Sequence, residues 1–264
     1  MEEVDSMKEH YNANLKAKEY NAKFNRIFNM ITGNFEFILR FLYNVVQSDK
    51  FKGSKTLEIG SGATVHNIAS ASSKYSTIVQ TDYVLDNCEE LKKWHAGESV
   101  LDWSQFLNMV LEIEGTKINQ QSLQDLESRI RKSVKRVVRG DLLSDSILSE
   151  QELTPETSPP YDLIISVLCI ETAASSFEDY VAILKRLNNL LRLGGGLVVC
   201  GYENGSPWKI GDNFFPHVKL PIEQISDAFQ QAGFKICDLK MRPKTKSEYD
   251  YDYDHVFCIA AEKL

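Results

Sequence analysis

The sequence lacks several features that would place it in a specialised class of protein. None of its apolar runs approaches the ~18 consecutive residues that a membrane-spanning helix needs. Its N-terminal segment is polar and has no apolar core of the kind found in secretory signals. Acidic residues outnumber basic ones by 37 to 30, so the chain has no basic excess of the kind nucleic-acid-binding proteins carry. We therefore expect neither a membrane nor a nucleic acid as partner.

The cysteines and histidines also lack the spacing of a structural or metal site. The five cysteines form no C-x-x-C pair, and their odd number does not suit a disulfide framework. We therefore expect free thiols and a cytoplasmic location. The five histidines are scattered and predict no metal site. The length of 264 residues, with 43% hydrophobic residues, is typical of one globular domain, which we expect to be a monomer.

What the sequence does contain is an alternation of short apolar runs and amphipathic segments. The apolar runs predict strands at 55–59, 77–81, 134–139, 161–167, 197–201, 234–241 and 255–261. The other segments predict helices up to about residue 47 and at 64–73, 86–95, 103–111, 121–132, 177–193 and 222–232. This order predicts an α/β fold with a doubly wound, mainly parallel sheet.

Glycine and polar residues end several of the predicted strands. These residues are Gly60, Asp82, Asp141, Ser166 and Gly201. In a doubly wound sheet the ligand crevice lies beyond the carboxyl ends of the strands. The sequence therefore predicts that these residues meet at one site, next to a Gly/Pro/aromatic insert at 202–216.

The first of these strand ends resembles a nucleotide-binding turn. Gly60-Ser-Gly62 follows a strand, and glycine lets the backbone approach a ligand closely. Val65 stands where a dinucleotide fingerprint has its third glycine, which weakens the dehydrogenase hypothesis without excluding it. Asp82 has the position of a carboxylate that accepts both ribose hydroxyls, or of a helix N-cap. Asp141 suits the exocyclic amine of an adenine, or a turn.

Six runs of the sequence carry a more specific resemblance. They are TLEIGSGATVHNIASASS, IVQTDYVLDNCEELKKW, LDWSQF, RGDLLSDS, LIISVLCIETAASSFEDYVAILKRLNNLLRLGGGLVV and WKIGDNFF. In order and spacing they resemble the nicotinamide, phenylethanolamine and indolethylamine (thioether) N-methyltransferase family, over roughly residues 10–262. The T-D-Y…N-x-x-E-L-x-x-W pattern in the second run is the most distinctive part.

The resemblance implies a fold and a cofactor. The fold is a seven-stranded Rossmann-like methyltransferase sheet with an antiparallel last strand. It forms a single domain, 1–264, with a helical lid at 1–50 and a catalytic core at 51–264 that carries a substrate cap around 202–217. The cofactor is S-adenosylmethionine, the product S-adenosylhomocysteine, and the partner a small-molecule amine. Position by position, the resemblance assigns cofactor contacts to Gly60, Ser61, Gly62, Thr64, Asp82, Tyr83, Asn87, Asp141, Leu142 and Ser166.

Three departures from the family pattern concern the enclosure of the cofactor. Ala63 stands where the family usually has proline, and His66 where it usually has tyrosine. The N-terminal Tyr-Tyr pair that closes over the cofactor is here Tyr20-Asn21. We therefore expect Tyr11 or Tyr20 to take over that role.

The substrate positions mix features of several family branches. Glu171 stands where the phenylethanolamine branch has a glutamate that meets the amine, which makes it our catalytic and substrate-binding candidate; its alternative is a carboxylate that stabilises a helix N-terminus. Gly201 replaces an aspartate that holds the carboxamide in the nicotinamide branch, and Glu203 is expected to compensate. Trp208 is expected to stack on the substrate, or to cap the core.

The tract at 247–254 alternates tyrosine and acid with a period of two. As a strand it would present tyrosines on one face and acids on the other. The phenylethanolamine branch places an acid near its amine in this region, so Asp252 and Asp254 are further substrate candidates, with a solvated hairpin as the alternative. His217 falls near a polar substrate contact of the family, but we expect it to be a surface residue.

Three hypotheses follow for the function. The leading one is a methyltransferase that acts on the nitrogen of a small amine, for which an acidic residue binds the ammonium and relays its proton. The second is a methyltransferase of a pyridine, such as nicotinamide, or of a thioether, which needs no base. The third is a catalytically silent protein that binds S-adenosylmethionine, suggested by the changes at Gly201 and in the lid.

Overall fold

A seven-stranded mixed sheet forms the centre of the computed structural model, which describes residues 2–245 and 251–264. Along the chain its strands are β1 (Lys55–Ile59), β2 (Thr77–Asp82), β3 (Val134–Arg139), β4 (Tyr161–Val167), β5 (Leu191–Tyr202), β8 (Phe234–Pro243) and β9 (His255–Lys263), while β6 (Trp208–Ile210) and β7 (Asn213–Phe215) form a separate hairpin. The spatial order is β3-β2-β1-β4-β5-β9-β8. β9 is antiparallel to both of its neighbours, and the pairs from β3 to β5 are parallel. This confirms the fold expected from the sequence.

Helices cover both faces of this sheet. They are α1 (Glu2–Asn14), α2 (Ala17–Gln47), α3 (Leu85–Ala96), α4 (Ser104–Ile113), α5 (Gln120–Ser133), α6 (Ile170–Ala173), α7 (Phe177–Leu190) and α8 (Ile222–Gln231). Every residue of β2 is buried, as expected of a strand that is covered on both faces. No described helix is both long enough and apolar enough to cross a membrane.

The long helix α2 packs along one side of the sheet. Its buried residues Ile27, Ile31, Phe35, Ile38 and Leu42 recur at intervals of three or four, the period that aligns side chains on one helix face. This apolar stripe anchors α2 to the core. Its N-terminal end is held by Asp86, whose carboxylate accepts the backbone N–H of Ala17 at 2.8 Å.

The helix expected at 64–73 does not form. After the glycine turn the chain makes successive turns and a single 3₁₀ turn at Ala71–Ser73. Short hydroxyl side chains compete with a helix here: Thr64 Oγ1 donates to the Ser61 carbonyl at 2.7 Å, and Ser72 Oγ to the Ala69 carbonyl at 2.6 Å. Such local bonds satisfy the backbone without a helical ladder.

The helix expected at 177–193 is shorter, and the strand after it is longer. α7 ends at Leu190, and β5 begins at Leu191, so the three glycines at 194–196 lie within the strand. The reason is packing: a β-carbon on Gly196 would lie 2.4 Å from the ring of Phe51. Glycine here lets the strand pass beneath that ring.

The insert after β5 contains structure that the sequence did not predict. β6 and β7 pair as a hairpin in which Trp208 faces Phe215 and the turn falls at Gly211, whose φ is +58°. The rings of Trp208 and Phe215 stack with centroids 4.7 Å apart. This hairpin packs against Leu15 of the segment that joins α1 to α2, so the insert and the N-terminal helices meet over the strand ends.

Candidate active site

The glycine turn after β1 has the strained backbone that the sequence suggested. Gly60 and Gly62 have φ values of +67° and +58°, in the left-handed region that favours glycine. A β-carbon on Gly60 would lie 2.0 Å from Cys169 Sγ. The turn can therefore approach the loop after β4 only because residue 60 has no side chain.

Asp82 organises this turn from the end of β2. One of its carboxylate oxygens accepts the backbone N–H of Gly62 at 2.7 Å. The other accepts the backbone N–H of Val84 at 2.8 Å and the side-chain amide of Asn87 at 3.0 Å. Burial raises the pKa of Asp82, and these hydrogen bonds oppose that rise. The carboxylate therefore joins the first two strand ends into one rigid surface.

A cavity opens above this surface, between the strand ends and the N-terminal helices. We call it the donor cavity. The predicted cofactor residues that line it are Tyr11, Tyr20, Gly60, Ser61, Gly62, Thr64, Asp82, Tyr83, Asn87, Asp141 and Leu142.

Ser166 is the predicted cofactor residue that the structure does not bring to this cavity. Its side chain is completely buried within β4. The next residue, Val167, lines the donor cavity instead. Successive side chains of a strand point to opposite faces, so only one of these two neighbours can face the ligand space.

The N-terminal helices form a roof over the donor cavity. The Tyr11 hydroxyl donates to the Thr172 carbonyl at 3.3 Å, and Tyr20 lines the cavity from the first turn of α2. Lys8 forms an ion pair with Asp141 at 2.6 Å, which joins α1 to the loop after β3. The sequence offered no signal for Lys8. The roof thus contacts both the β3 and the β4 sides of the cavity.

The lining of the donor cavity fits S-adenosylmethionine, the cofactor expected from the sequence. Among residues 2–245 and 251–264, the buried polar atoms of this lining that have no hydrogen-bond partner include the amide oxygens Asn67 Oδ1 and Asn87 Oδ1. Leaving such atoms unpaired is costly. A ligand with an ammonium group and ribose hydroxyls supplies the donors that the two amide oxygens need. The strained glycine turn beside them leaves room for its close approach.

A second cavity lies directly beside the first. We call it the acceptor cavity. The two share the side chains of Tyr20, Phe35, Leu168, Thr172 and Trp208 as a common wall. The two cavities therefore adjoin each other along this wall. Transfer between two bound molecules requires the reacting atoms to approach within about 3–3.5 Å, so a donor and an acceptor molecule would meet where the cavities adjoin.

Leu168 belongs to this wall because of an unusual backbone conformation. Its φ is +54°, which is rare for a residue with a β-carbon. Its backbone N–H donates to the Cys200 carbonyl at 2.7 Å, which helps hold the strained conformation. Such strain is concentrated at functional sites. No sequence pattern predicted this conformation.

Glu171 places a carboxylate in the acceptor cavity. The residue is only 3% exposed, and Oε1 accepts the backbone N–H of Tyr202 at 3.2 Å. Oε2 is buried and has no hydrogen-bond partner in the described part of the chain. Burial raises the pKa of Glu171 to about 7. A carboxyl group that is half ionised near neutral pH suits proton transfer.

Gly201 makes room for this carboxylate. A β-carbon at residue 201 would lie 2.5 Å from Glu171 Oε1 and 2.7 Å from the ring of Phe257. The backbone here is ordinary strand, so the requirement for glycine is one of space. The absence of a side chain at 201 and the presence of an acid at 171 are therefore parts of one arrangement.

We expect Gly201→Ala to reduce amine methylation at least tenfold while leaving S-adenosylhomocysteine affinity unchanged. The added methyl group displaces the Glu171 carboxylate, whereas the donor cavity does not contact residue 201. Steady-state kinetics measure the methylation rate, and calorimetry measures the affinity for S-adenosylhomocysteine. Unchanged kinetics in Gly201→Ala would contradict the steric link to Glu171.

Glu203 does not reach the acceptor cavity and cannot compensate for Gly201. Its Oε1 accepts the backbone N–H of Ile222 at 2.8 Å, at the start of α8. Its Oε2 lies 2.6 Å from His255 Nδ1. Both oxygens are thus engaged in joining β5 to α8 and β9. Sequence proximity to Gly201 misled the expectation, because it does not show that both oxygens of Glu203 already have partners.

The Tyr/Asp tract contributes its tyrosines rather than its acids. Tyr251 and Tyr253 line the acceptor cavity, whereas Asp252 and Asp254 are exposed. The Asp254 carboxylate accepts the side-chain amide of Asn204 at 2.8 Å. Residues 247–250 of the tract lie outside the described residues, and 251–254 form no strand. From residue 251 to residue 254, tyrosines and acids do alternate between the cavity and the surface, but the acids are the ones that face solvent.

His217 is buried, although the sequence suggested a surface residue. Its side chain lines the acceptor cavity, and the residue is 9% exposed. Trp208 lines both cavities, as expected of a residue that contacts substrate. Asn34 was missed as well: it lies in the acceptor-cavity wall and donates to the Tyr253 hydroxyl at 2.8 Å. Its position inside the apolar stripe of α2 was the available signal.

The family model and the individual relatives that match this chain belong to one group of N-methyltransferases. The model of the NNMT/PNMT/TEMT family matches residues 3–264. Nicotinamide N-methyltransferase from Homo sapiens is 29% identical over 228 residues, covering 86% of this chain and 83% of the relative. Indolethylamine N-methyltransferase from Oryctolagus cuniculus is 32% identical over 211 residues, covering 80% and 77%.

Solved structures support the fold. Magnesium protoporphyrin IX methyltransferase from Synechocystis PCC 6803, crystallised with S-adenosylmethionine, superimposes with a TM-score of 0.61 at 12% identity. The match covers 99% of this chain and 97% of that one. At this level of identity the similarity concerns the fold alone.

Proposed function

Because the chain belongs to the NNMT/PNMT/TEMT family of S-adenosylmethionine-dependent N-methyltransferases, we propose that it methylates the nitrogen of a small-molecule amine. One observation carries the choice of an amine. Glu171 presents a buried, unpartnered carboxylate oxygen in a cavity that shares a wall with the cofactor cavity. An ammonium or amine N–H is the donor that satisfies it.

The cofactor is S-adenosylmethionine, and we assign its binding to the donor cavity. When bound, it supplies an electrophilic methyl group whose carbon bonds to the amine nitrogen as its bond to sulfur breaks. Asp82 would hold the ribose hydroxyls, Asp141 the adenine amine, and the turn at Gly60 the methionine portion. The roof formed by Tyr11 and Tyr20 would exclude water from this space.

In the acceptor cavity, Glu171 performs the acid–base work. Its ionised form binds the substrate ammonium. Because burial brings its pKa to about 7, the carboxylate can take a proton from that ammonium and release it to solvent, leaving a neutral amine. The alternative role of Glu171, stabilising a helix N-terminus, has little support, since α6 is a single turn of four residues.

Aromatic side chains complete the acceptor cavity. Trp208, Tyr202, Tyr251 and Tyr253 line it together with Phe24. Aromatic faces attract cations, so this lining favours the bound ammonium as well as the apolar body of the substrate. The hypothesis of a nicotinamide-like substrate needs Glu203 to replace the aspartate that is missing at position 201. Both carboxylate oxygens of Glu203 are bonded elsewhere, so this support for the hypothesis is lost.

Release of S-adenosylhomocysteine from a substrate panel tests this proposal. The panel contains phenylethanolamines, indolethylamines, aliphatic amines, nicotinamide, quinoline and a thioether. We expect turnover on amines. Turnover confined to pyridines or thioethers would replace the amine assignment with the second hypothesis. Cofactor binding without any turnover would favour the catalytically silent protein.

We further propose that the protein acts as a monomer in the cytoplasm. The five cysteines are free thiols, and three of them are buried, as suits a reducing compartment. The large hydrophobic side chains that are exposed, such as Met30, Val100 and Leu193, come from different elements. Single exposed apolar residues are usual on monomer surfaces. Light scattering at micromolar concentration measures the oligomeric state.

A further inference from the structure

A second hydrogen-bond acceptor lies in the acceptor cavity with Glu171. His217 belongs to the segment that follows β7, and the backbone N–H of its neighbour Val218 donates to the Glu171 carbonyl at 2.8 Å. This bond ties the His217 segment directly to the residue that carries the carboxylate. Both side chains line the same cavity, and both residues are more than nine-tenths buried.

The protonation of the His217 ring is fixed by its surroundings. Nδ1 lies 2.9 Å from the Val218 carbonyl, which can only accept, so Nδ1 carries the proton and Nε2 has a free lone pair. Burial lowers the pKa of His217 to about 4, and the ring is neutral at physiological pH. Nε2 is therefore an acceptor, with too low a basicity to take a proton from an alkylammonium.

Nε2 has no hydrogen-bond partner in the described ranges 2–245 and 251–264. The same holds for Glu171 Oε2. A β-carbon on Gly205 would lie 2.6 Å from Nε2, so glycine at 205 keeps space beside this atom. Two buried acceptors without donors are costly, and a ligand that donates to both of them recovers that cost.

We propose that Glu171 and His217 together select a primary amine and limit the enzyme to a single methylation. This rests on the proposed amine methyltransferase function. Once the ammonium has lost a proton through Glu171, a neutral primary amine keeps two N–H bonds. One is donated to Glu171 Oε2 and the other to His217 Nε2, and the nitrogen lone pair remains free for the methyl group. His217 thus acts as a specificity-determining residue and not as the base.

The methylated product is a poorer substrate for the same reason. A neutral secondary amine has a single N–H, so one of the two acceptors stays unpaired, and a tertiary amine leaves both unpaired. A site built to receive hydrogen bonds discriminates strongly against a ligand that lacks them. We expect kcat/KM for a primary amine to exceed that of its N-methyl derivative roughly ten- to hundredfold.

The test compares a primary amine accepted in the panel with its own N-methyl derivative. His217→Leu removes the acceptor, and we expect the ratio of the two kcat/KM values to fall towards one. His217→Gln keeps an acceptor oxygen on a side chain of similar length and is expected to retain most of the preference. S-adenosylhomocysteine affinity is the folding control, since His217 does not line the donor cavity.

The outcomes separate this inference from the function on which it rests. An unchanged ratio in His217→Leu would overturn the selection by two acceptors while leaving the amine methyltransferase assignment intact. If His217→Leu fails to fold, the wild-type product decides: a monomethylated amine supports the inference, and a dimethylated amine formed at a comparable rate overturns it. Absence of turnover on every amine would overturn both.

Discussion

Replacing Asp82 with asparagine is expected to weaken the binding of S-adenosylmethionine and S-adenosylhomocysteine at least a hundredfold. Two ribose hydroxyls lose a charged acceptor, and hydrogen bonds to a charged group contribute roughly 1.5–3 kcal/mol each. The amide also turns an NH₂ group towards donors that the carboxylate now satisfies at Gly62, Val84 and Asn87. The glycine turn therefore loses its anchor as well. Isothermal calorimetry with S-adenosylhomocysteine measures the loss.

Two further variants distinguish the loss of the charged ribose acceptor from the loss of hydrogen bonds that hold the glycine turn. Asp145→Asn makes the same chemical change at a fully exposed side chain and should bind as the wild type does. Asn87→Ala leaves the Asp82 carboxylate in place and removes one of its donors, so we expect a smaller loss, about tenfold. A folded Asp82→Asn protein that binds the product within about threefold of wild type would remove Asp82 from the cofactor site.

Glu171→Gln is expected to lower kcat/KM for an amine by roughly 10²–10⁴, the usual contribution of a general acid–base group. The glutamine keeps an oxygen for the Tyr202 N–H and loses both the charge and the ability to relay a proton. S-adenosylhomocysteine affinity should not change, since Glu171 does not line the donor cavity. In the wild type, activity is expected to rise as the pH increases through about 7, because the ionised carboxylate binds the ammonium.

The same substitution is expected to stabilise the protein without ligand at alkaline pH. Burial raises the pKa of Glu171 from 4.5 to about 7, so the folded protein binds this proton more tightly than the unfolded chain does. Stability is therefore lost as the pH rises from about 4.5 through 7, and glutamine does not have this loss. The difference approaches ~3 kcal/mol, or several degrees in melting temperature.

Thermal unfolding at pH 5 and pH 8.5 checks this effect. The two proteins should melt at similar temperatures at pH 5, and the variant should melt higher at pH 8.5. Glu58, whose pKa burial also raises to about 7, is present in both proteins and cancels in the comparison. A variant that melts lower than the wild type at pH 8.5 would contradict the raised pKa of Glu171. A variant that is equally active would remove Glu171 from the mechanism.

The sequence predicted the parts of the site that strand ends define. Gly60, Asp82 and Asp141 follow apolar runs, and parallel strands bring their carboxyl ends to one edge of the sheet, so their convergence was foreseeable. The same reasoning did not show which residues near a strand end face the site. Ser166 lies in β4 with its side chain turned away from the donor cavity, whereas its neighbour Val167 lines that cavity. Glu203 follows the end of β5, and both of its carboxylate oxygens are bonded elsewhere.

Contacts between distant segments were beyond the sequence. His217 and Lys8 take their positions from a hydrogen bond to α6 and from an ion pair to Asp141, and neither partner is near in sequence. The left-handed backbone of Leu168 depends on packing around it and leaves no mark in residue type. The steric link between Gly201 and Glu171 likewise depends on how closely the ends of two neighbouring strands approach, which residue types alone do not show.

The most direct test of the central claim is mass spectrometry of the reaction between a primary amine and S-adenosylmethionine that carries a deuterated methyl group. The wild type is expected to place the labelled methyl on the amine nitrogen, and Glu171→Gln to form this product at least a hundredfold more slowly. Label on a thioether sulfur or a pyridine nitrogen but on no amine, or equal rates from the two proteins, would contradict it.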